Sequence, residues 1–310
     1  MASVSDSLTR VGVDLGGTRI KVAEVRGDAV VRSEVVDTPA REGPVKVMDT
    51  IAAAVARLGR KPDALGIAIP GEVDPTGRCW RLPNIPGFEG FEIGKELSYR
   101  TGVRVVVEND ATTAAYGEAL YGRGRDYESF LLMTLGTGIG GGLVIARRLV
   151  RGAHGFAAEV GHMTIDASAG ARVCPCGRTG CLEAYAGTRA LLDVFRENGG
   201  TAHEIREIAE SARRGEAPGR AAFASLTRSL GIAINSIQNL LDLDAIVFGG
   251  GVSKSFDLIE GPVRAELRAR RFAEPLAEVP LVVSEFADLA GVVGAAHLPD
   301  LGAARALGEA

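Results

Sequence analysis

The chain has 310 residues, 46% hydrophobic and 24% charged, with a formal net charge of -4. This ordinary composition carries no basic surplus of the kind that binds nucleic acid in bulk. No apolar run approaches the roughly 20 residues that span a bilayer, and the polar Met1–Arg10 start has no signal-peptide core; both point to a cytoplasmic protein without membrane or nucleic-acid partners.

Val11–Leu15 reads as a buried strand broken by Gly16-Gly17. Arg19–Val25 and Val30–Val36 complete a meander that turns at Gly27-Asp28. After Pro44, Val47, Ile51, Val55 and Leu58 share one helical face. Ala64–Ile69 is a strand stopped by Pro70-Gly71, and Asp74–Phe91 reads as an irregular loop. Val103–Val107 is a β-branched strand running into Glu108-Asn109-Asp110 and an alanine-rich helix.

The pattern then restarts. Phe130–Leu135 is a strand, Gly136–Gly142 a glycine turn and Leu143–Ala146 a strand. A long cysteine-bearing loop follows, then helices over Leu182–Glu197 and Phe223–Leu241, with the polar stretch Gly199–Gly219 as an insertion. Ala245–Phe248 is a strand closed by Gly249-Gly250-Gly251; a helix, the strand Leu281–Ser284 and a last helix over Leu289–His297 complete the chain. Two halves that each open with strand, glycine turn, strand predict an α/β fold with mixed sheets and a cleft between the halves.

Three glycine clusters and one carboxylate carry the chemistry. In Asp14-Leu-Gly-Gly-Thr18 the strand ends on a carboxylate that suits hydrated Mg²⁺, and the bare amides of Gly16 and Gly17 suit phosphate oxygens; a plain hairpin is the alternative. Leu135–Gly142 matches the spacing of a dinucleotide fingerprint through Gly136, Gly138 and Gly141. The residues after it read as strand rather than helix, so a terminal phosphate fits better. Phe248-Gly-Gly-Gly-Val252 could admit an adenine ring or be a tight turn. Asp110, at a strand end, could take a proton from an attacking hydroxyl or cap the helix after it.

His162, Cys174, Cys176 and Cys181 offer a closed Cys₃His set for a structural zinc ion, with reduced free thiols as the alternative. Cys79 is remote from them. Glu159, His162 and Glu183 mix donors and acceptors, as sugar hydroxyls require.

Together these residues resemble the ROK family of repressors, uncharacterised reading frames and sugar kinases, close to its bacterial glucokinases. The resemblance runs from Val11 to about His297. It rests on Asp14-Leu-Gly-Gly-Thr-Arg-Ile-Lys21, Glu108-Asn-Asp110, Leu135–Gly142, Glu159-Val-Gly-His162 and Cys174-Pro-Cys-Gly-Arg-Thr-Gly-Cys-Leu-Glu183.

It implies a two-domain actin-like ATPase (ribonuclease-H-like) fold that closes on a sugar. Residues 1–118 with 290–310 would form the smaller domain and 119–289 the larger. It implies ATP-dependent phosphorylation of a hexose 6-hydroxyl, most simply glucose, with Asp110 as base. Gly71, Asn84, Asn109, Asp110, Glu159, His162 and Glu183 would bind the sugar. Gly16, Gly17, Thr18, Lys21, Thr137 and Gly138 would serve the phosphates, Asp14 the Mg²⁺, and Gly250 and Gly251 the adenine. His162 would meet both zinc and sugar, and family members are often dimers or tetramers.

Thr112 and Ala158 depart from the glucokinase pattern, which has Asn and Gly there. Kinases for mannose, N-acetylmannosamine or N-acetylglucosamine, or ones using polyphosphate, fit the motifs too. A ROK repressor would need a DNA-reading module before the first strand, where only about ten residues stand.

Overall fold

The structure of the protein is a computed structural model that describes residues 8–306. In chain order the first elements are β1 (Arg10–Leu15), β2 (Arg19–Arg26), β3 (Ala29–Asp37), α1 (Pro44–Arg57), β4 (Ala64–Ile69), β5 (Glu72–Val73), β6 (Cys79–Arg81), α2 (Ile93–Thr101), β7 (Val105–Asn109) and α3 (Asp110–Tyr121). Then come β8 (Phe130–Leu135), β9 (Ile139–Ile145), β10 (Arg148–Val150), α4 (Glu183–Ala186), α5 (Thr188–Glu197), α6 (Ile205–Arg213) and α7 (Ala217–Leu241). The chain finishes with β11 (Ala245–Gly249), α8 (Glu260–Arg270), α9 (Glu274–Ala277), β12 (Leu281–Val283) and α10 (Ala287–Ala306). Among the described residues no helix is long and apolar enough to cross a membrane.

The strands form two five-stranded sheets of the same order, β3-β2-β1-β4-β7 and β10-β9-β8-β11-β12. In the first, β1, β2 and β3 pair antiparallel, while β4 and β7 add in parallel. In the second, β9 and β10 pair antiparallel, and β8, β11 and β12 lie parallel.

Packing divides the chain into two compact units. The first holds the described residues up to Asp126, Gly142–Ala157 and those from Phe286 onward; the second holds Tyr127–Gly141 and Ala158–Glu285. The expected division grouped 119–289 as one block, whereas here β9 passes into the first unit from Gly142 onward. A physical reason is the ion pair between Arg151, just past β10, and the buried Glu108 of β7.

In the first unit, one sheet face packs Val13, Leu15, Ile67 and Ile69 with Met48 and Ile51 of α1. The other face is lined by small residues. Ala23 and Ala68 meet Val292, Ala295 and Ala296 of α10. A Cβ at Gly12 or Gly66 would collide with the carbonyls of Val292 or Ala295, so these strands must be bare for α10 to lie flat. In the second unit α7 buries Phe223, Leu226, Leu230 and Ile234, and the strands bury Phe130, Leu132, Ile246 and Phe248.

Four local differences from the sequence reading have physical causes. The helix expected over Leu182–Glu197 breaks at Gly187, where a Cβ would stand 2.9 Å from the Glu183 carbonyl and 3.0 Å from that of Thr137. The supposed insertion contains α6, whose first turn is held by the Glu207 carboxylate accepting the His203 and Glu204 amides at 2.7 and 3.1 Å. Helix α7 starts six residues early, at Ala217, with Pro218 in its first turn. The region read as an irregular loop contains β6, which pairs with β5 just before it in a short hairpin closed by a Glu72–Arg81 ion pair.

Candidate functional site

The first unit assembles half of the expected residues. The β1–β2 turn is closed by the Gly16 amide donating to the Arg19 carbonyl at 2.8 Å. Thr38 clasps it from the side: its hydroxyl donates to the Gly16 carbonyl at 2.7 Å and its amide to the Thr18 carbonyl at 2.9 Å. Thr38 lies 22 residues from Gly16 and carried no sequence signal. Asp14 and Lys21 face each other across the β1–β2 ladder. Burial pushes the Asp14 carboxyl above its ordinary value, and the Lys21 charge opposes the shift. A half-buried carboxylate beside the Gly16-Gly17 turn is a hard oxygen donor of the type Mg²⁺ takes.

Asn84 packs against this turn. A Cβ at Gly17 would stand 3.2 Å from the Asn84 Cβ, so the structure brings these two expected residues together. At the end of β7, the Asn109 side chain donates to the Gly71 carbonyl at 3.1 Å and accepts the Thr112 amide at 3.0 Å. The cap of α3 is therefore Asn109, which corrects the capping alternative raised for Asp110. Asp110 is the first residue of the helix proper, and its carboxylate accepts the Ala111 amide at 2.7 Å. Anions are stabilised at this end of a helix, where the backbone dipole is positive.

The second unit carries the other half. The turn between β8 and β9 closes with the Gly136 amide on the Gly138 carbonyl at 3.0 Å. Thr188 holds it at Gly136 through its amide and hydroxyl, at 2.9 and 2.7 Å. Glu183 holds the far side, accepting the Ile139 amide at 2.9 Å. A Cβ on Gly138 would collide with that carboxylate. Thr137, between the two anchors, is exposed. The third cluster abuts the second: a Cβ on Gly250 would run into the Leu135 carbonyl, and the Ser253 hydroxyl donates to the Gly250 carbonyl at 2.7 Å. Gly251 faces open space.

Glu159 leads into a single 3₁₀ turn, Val160–His162. The residue before it, Ala158, sits in the left-handed region at φ 65°, which explains why glycine suits that position. His162, Cys174, Cys176 and Cys181 gather their ligand atoms within 4.8 Å of one another. Cys176 and Cys181 sulfurs are 3.7 Å apart, and His162 Nδ1 lies 3.9 Å from Cys174 Sγ. Thiolates 2.3 Å from a tetrahedral zinc ion stand roughly 3.8 Å apart, so the donor set fits such an ion.

The loop is pre-shaped. Cys174 and Gly177 close a tight turn at 2.9 Å, and the Tyr185 hydroxyl donates to Asp166 at 2.6 Å while accepting the Arg172 amide at 2.8 Å. Burial pushes the Cys174 thiol up to about 12 and raises that of Cys181, so a bound cation would favour the thiolate form of both. Cys79 lies buried in the first unit's core, and the cluster belongs to the second unit.

Thr137, Cys174, Glu183 and Gly187 line one cavity of about 490 Å³ in this unit, with Arg172 and Arg189 at its wall. Sequence reasoning missed both arginines, since each stands outside the quoted motifs.

Two α/β units whose sheets repeat one strand order, each with a glycine turn between its first strands, define an actin-like ATPase fold. The chain belongs to the ROK family, whose model matches residues 10–300. It is 33% identical to the glucokinase of Streptomyces coelicolor, covering 93% of this chain and 96% of that one. It is 32% identical to the N-acetyl-D-glucosamine kinase of Pasteurella multocida, covering 93% and 98%. Among solved structures, a ROK family glucokinase from Streptomyces griseus in complex with glucose and AMPPNP matches with a TM-score of 0.80 at 32% identity, covering 94% and 98%.

Proposed function

We propose that this chain is a cytoplasmic sugar kinase that transfers the γ-phosphoryl group of ATP to the 6-hydroxyl of a hexose, with glucose as the substrate. The observation that carries this reading is Asn84 packed on Gly17, an amide side chain suited to sugar hydroxyls beside a turn whose bare amides suit phosphate oxygens. Family membership and the two glucokinases above support it.

In this reading Asp110 accepts the proton of the sugar 6-hydroxyl as that oxygen attacks the γ-phosphorus, and the bond to ADP breaks. Gly71, Asn84, Asn109, Glu159, His162 and Glu183 bind the sugar in this reading. The amides of Gly16, Gly17 and Gly138 and the hydroxyls of Thr18 and Thr137 hold phosphate oxygens. Lys21 adds positive charge, and Gly250 and Gly251 leave room for adenine. Asp14 would hold Mg²⁺, which when bound neutralises charge on the phosphates. His162, Cys174, Cys176 and Cys181 would hold a structural zinc ion that shapes the sugar loop, with Nε2 of His162 left for a hydroxyl. The enzyme works as a homo-oligomer.

A coupled assay over glucose, mannose, N-acetylglucosamine and N-acetylmannosamine, with ATP or polyphosphate, tests this. Glucose with ATP should give the highest kcat/KM. The second reading, an N-acetylhexosamine kinase, draws on the Pasteurella multocida relative and on Thr112 at the buried first turn of α3; preference for an N-acetylated sugar would establish it instead.

A further inference from the structure

Glu108 and Arg151 are 43 residues apart and form an ion pair, its carboxylate buried and its guanidinium partly exposed, that has no part in the proposed transfer. The Glu108 side chain is 1% exposed. One oxygen accepts the Asn109 amide at 3.0 Å and the other accepts Arg151 Nε. Taking the Glu108 charge out of water offsets much of what the attraction gains, so such a pair contributes little net stability. What a doubly engaged carboxylate supplies is direction, because each donor is held at a fixed angle.

Both ends of the pair bear on the site. On one side stands the corner in which Asn109 reaches the Gly71 carbonyl and caps α3. On the other, the Arg151 carbonyl accepts the Ala157 amide at 3.2 Å and closes a short loop. Gly155 of that loop, at φ 88°, presses on the Val73 carbonyl, where a Cβ would stand 2.7 Å away. Phe156 meets Trp80 edge-on at 6.3 Å. The chain then runs directly into Glu159-Val-Gly-His162.

We propose that Glu108 and Arg151 are positioning residues: their ion pair fixes the Asn109–Asp110 corner and locks to it the loop that leads to Glu159. For its kinetic arm this rests on Asp110 being the base.

The test uses Arg151→Met, Arg151→Lys and the double variant Glu108→Gln/Arg151→Met, each in the full chain. Hydrogen exchange over residues 105–113 reads the corner without any need for turnover. Arg151→Met should speed exchange there while β1 and β4 keep their protection, and Arg151→Lys should restore most of it. In the coupled assay Arg151→Met should lower kcat at least about 10-fold with KM for ATP nearly unchanged, since a misplacement of about 1 Å can cost 10²-fold. The double variant buries no unpaired charge, so it should fold normally yet keep the kcat defect.

Unchanged exchange at 105–113, or an equal rise across the whole sheet, would overturn the proposal. So would a double variant with the kcat of an active wild type. A wild type that phosphorylates no sugar would sink the kinase reading alone, and the exchange measurement would still decide this one.

Discussion

The carboxylate of Glu183 accepts the Ile139 amide at 2.9 Å, and its other oxygen stands 3.8 Å from Cys174 Sγ. One side chain thus braces the glycine turn after β8 against the cysteine loop. Gly138→Ala would push a methyl group into that carboxylate and dislodge the brace. KM for ATP should rise at least about tenfold, equivalent to about 1.4 kcal/mol. Glu183→Gln keeps an oxygen for the Ile139 amide and should affect ATP binding much less. Steady-state kinetics on the two variants measure this; an unchanged KM in Gly138→Ala would remove the turn from nucleotide binding.

The cysteine cluster gives a prediction about metal. Purified without chelators, the protein should carry one zinc ion per chain. Cys176→Ser should lose it, and melting temperature and sugar affinity should fall together, because the same loop leads to Glu183. Loss of a structural metal removes folding free energy outright. Elemental analysis and calorimetry are the measurements. Wild-type protein free of zinc would count against the site.

Asp14 sets a pH-dependent trade-off. Its folded-state pKa is raised above 3.8, so between that value and the raised one the folded state binds more protons than the unfolded chain. Stability from this group therefore falls as pH rises through that window. At neutral pH the ionised carboxylate is a burden on the metal-free protein. Asp14→Asn should melt higher than wild type at neutral pH without Mg²⁺, and the gap should close toward pH 4. Its kinase activity should fall sharply. A lower melting temperature at neutral pH would mean that the Lys21 attraction outweighs burial.

Much of this was legible in the sequence because glycine clusters and β-branched runs are local signals. The strand, glycine turn, strand opening of each half needed no tertiary information. What was hidden depends on partners far along the chain. Thr38 clasps a turn 22 residues before it, and Arg151 pairs with Glu108 across 43 residues. Helix α6 was hidden by its polarity, since its first turn is held by a Glu207 side chain rather than by an apolar run. Ala158 is the reverse case: the missing glycine was visible, and the structure supplies its meaning at φ 65°. Ala158→Gly should relieve a left-handed strain of about 1–2 kcal/mol, less the added chain entropy of glycine, and so raise the melting temperature slightly.

Asn109 and Asp110, one residue apart, are predicted to differ in what their loss costs the fold and the reaction. Asn109 is the cap, accepting the Thr112 amide, so Asn109→Ala should cost about 1 kcal/mol of stability. Asp110 follows it inside the first turn, and its carboxylate accepts the Ala111 amide. Asp110→Asn keeps the size of the side chain and an oxygen for that amide, so the fold should melt normally. It cannot take a proton from an attacking hydroxyl, and general-base assistance is typically worth about 10²–10⁴-fold in rate. The expected result is a kcat lower by at least about 10²-fold with sugar affinity little changed, because the loss falls on the transition state rather than on binding. Melting curves, calorimetric glucose binding and kcat on the two variants separate the roles. Near-normal turnover in Asp110→Asn would take this carboxylate out of the mechanism and leave the proposed transfer without a base.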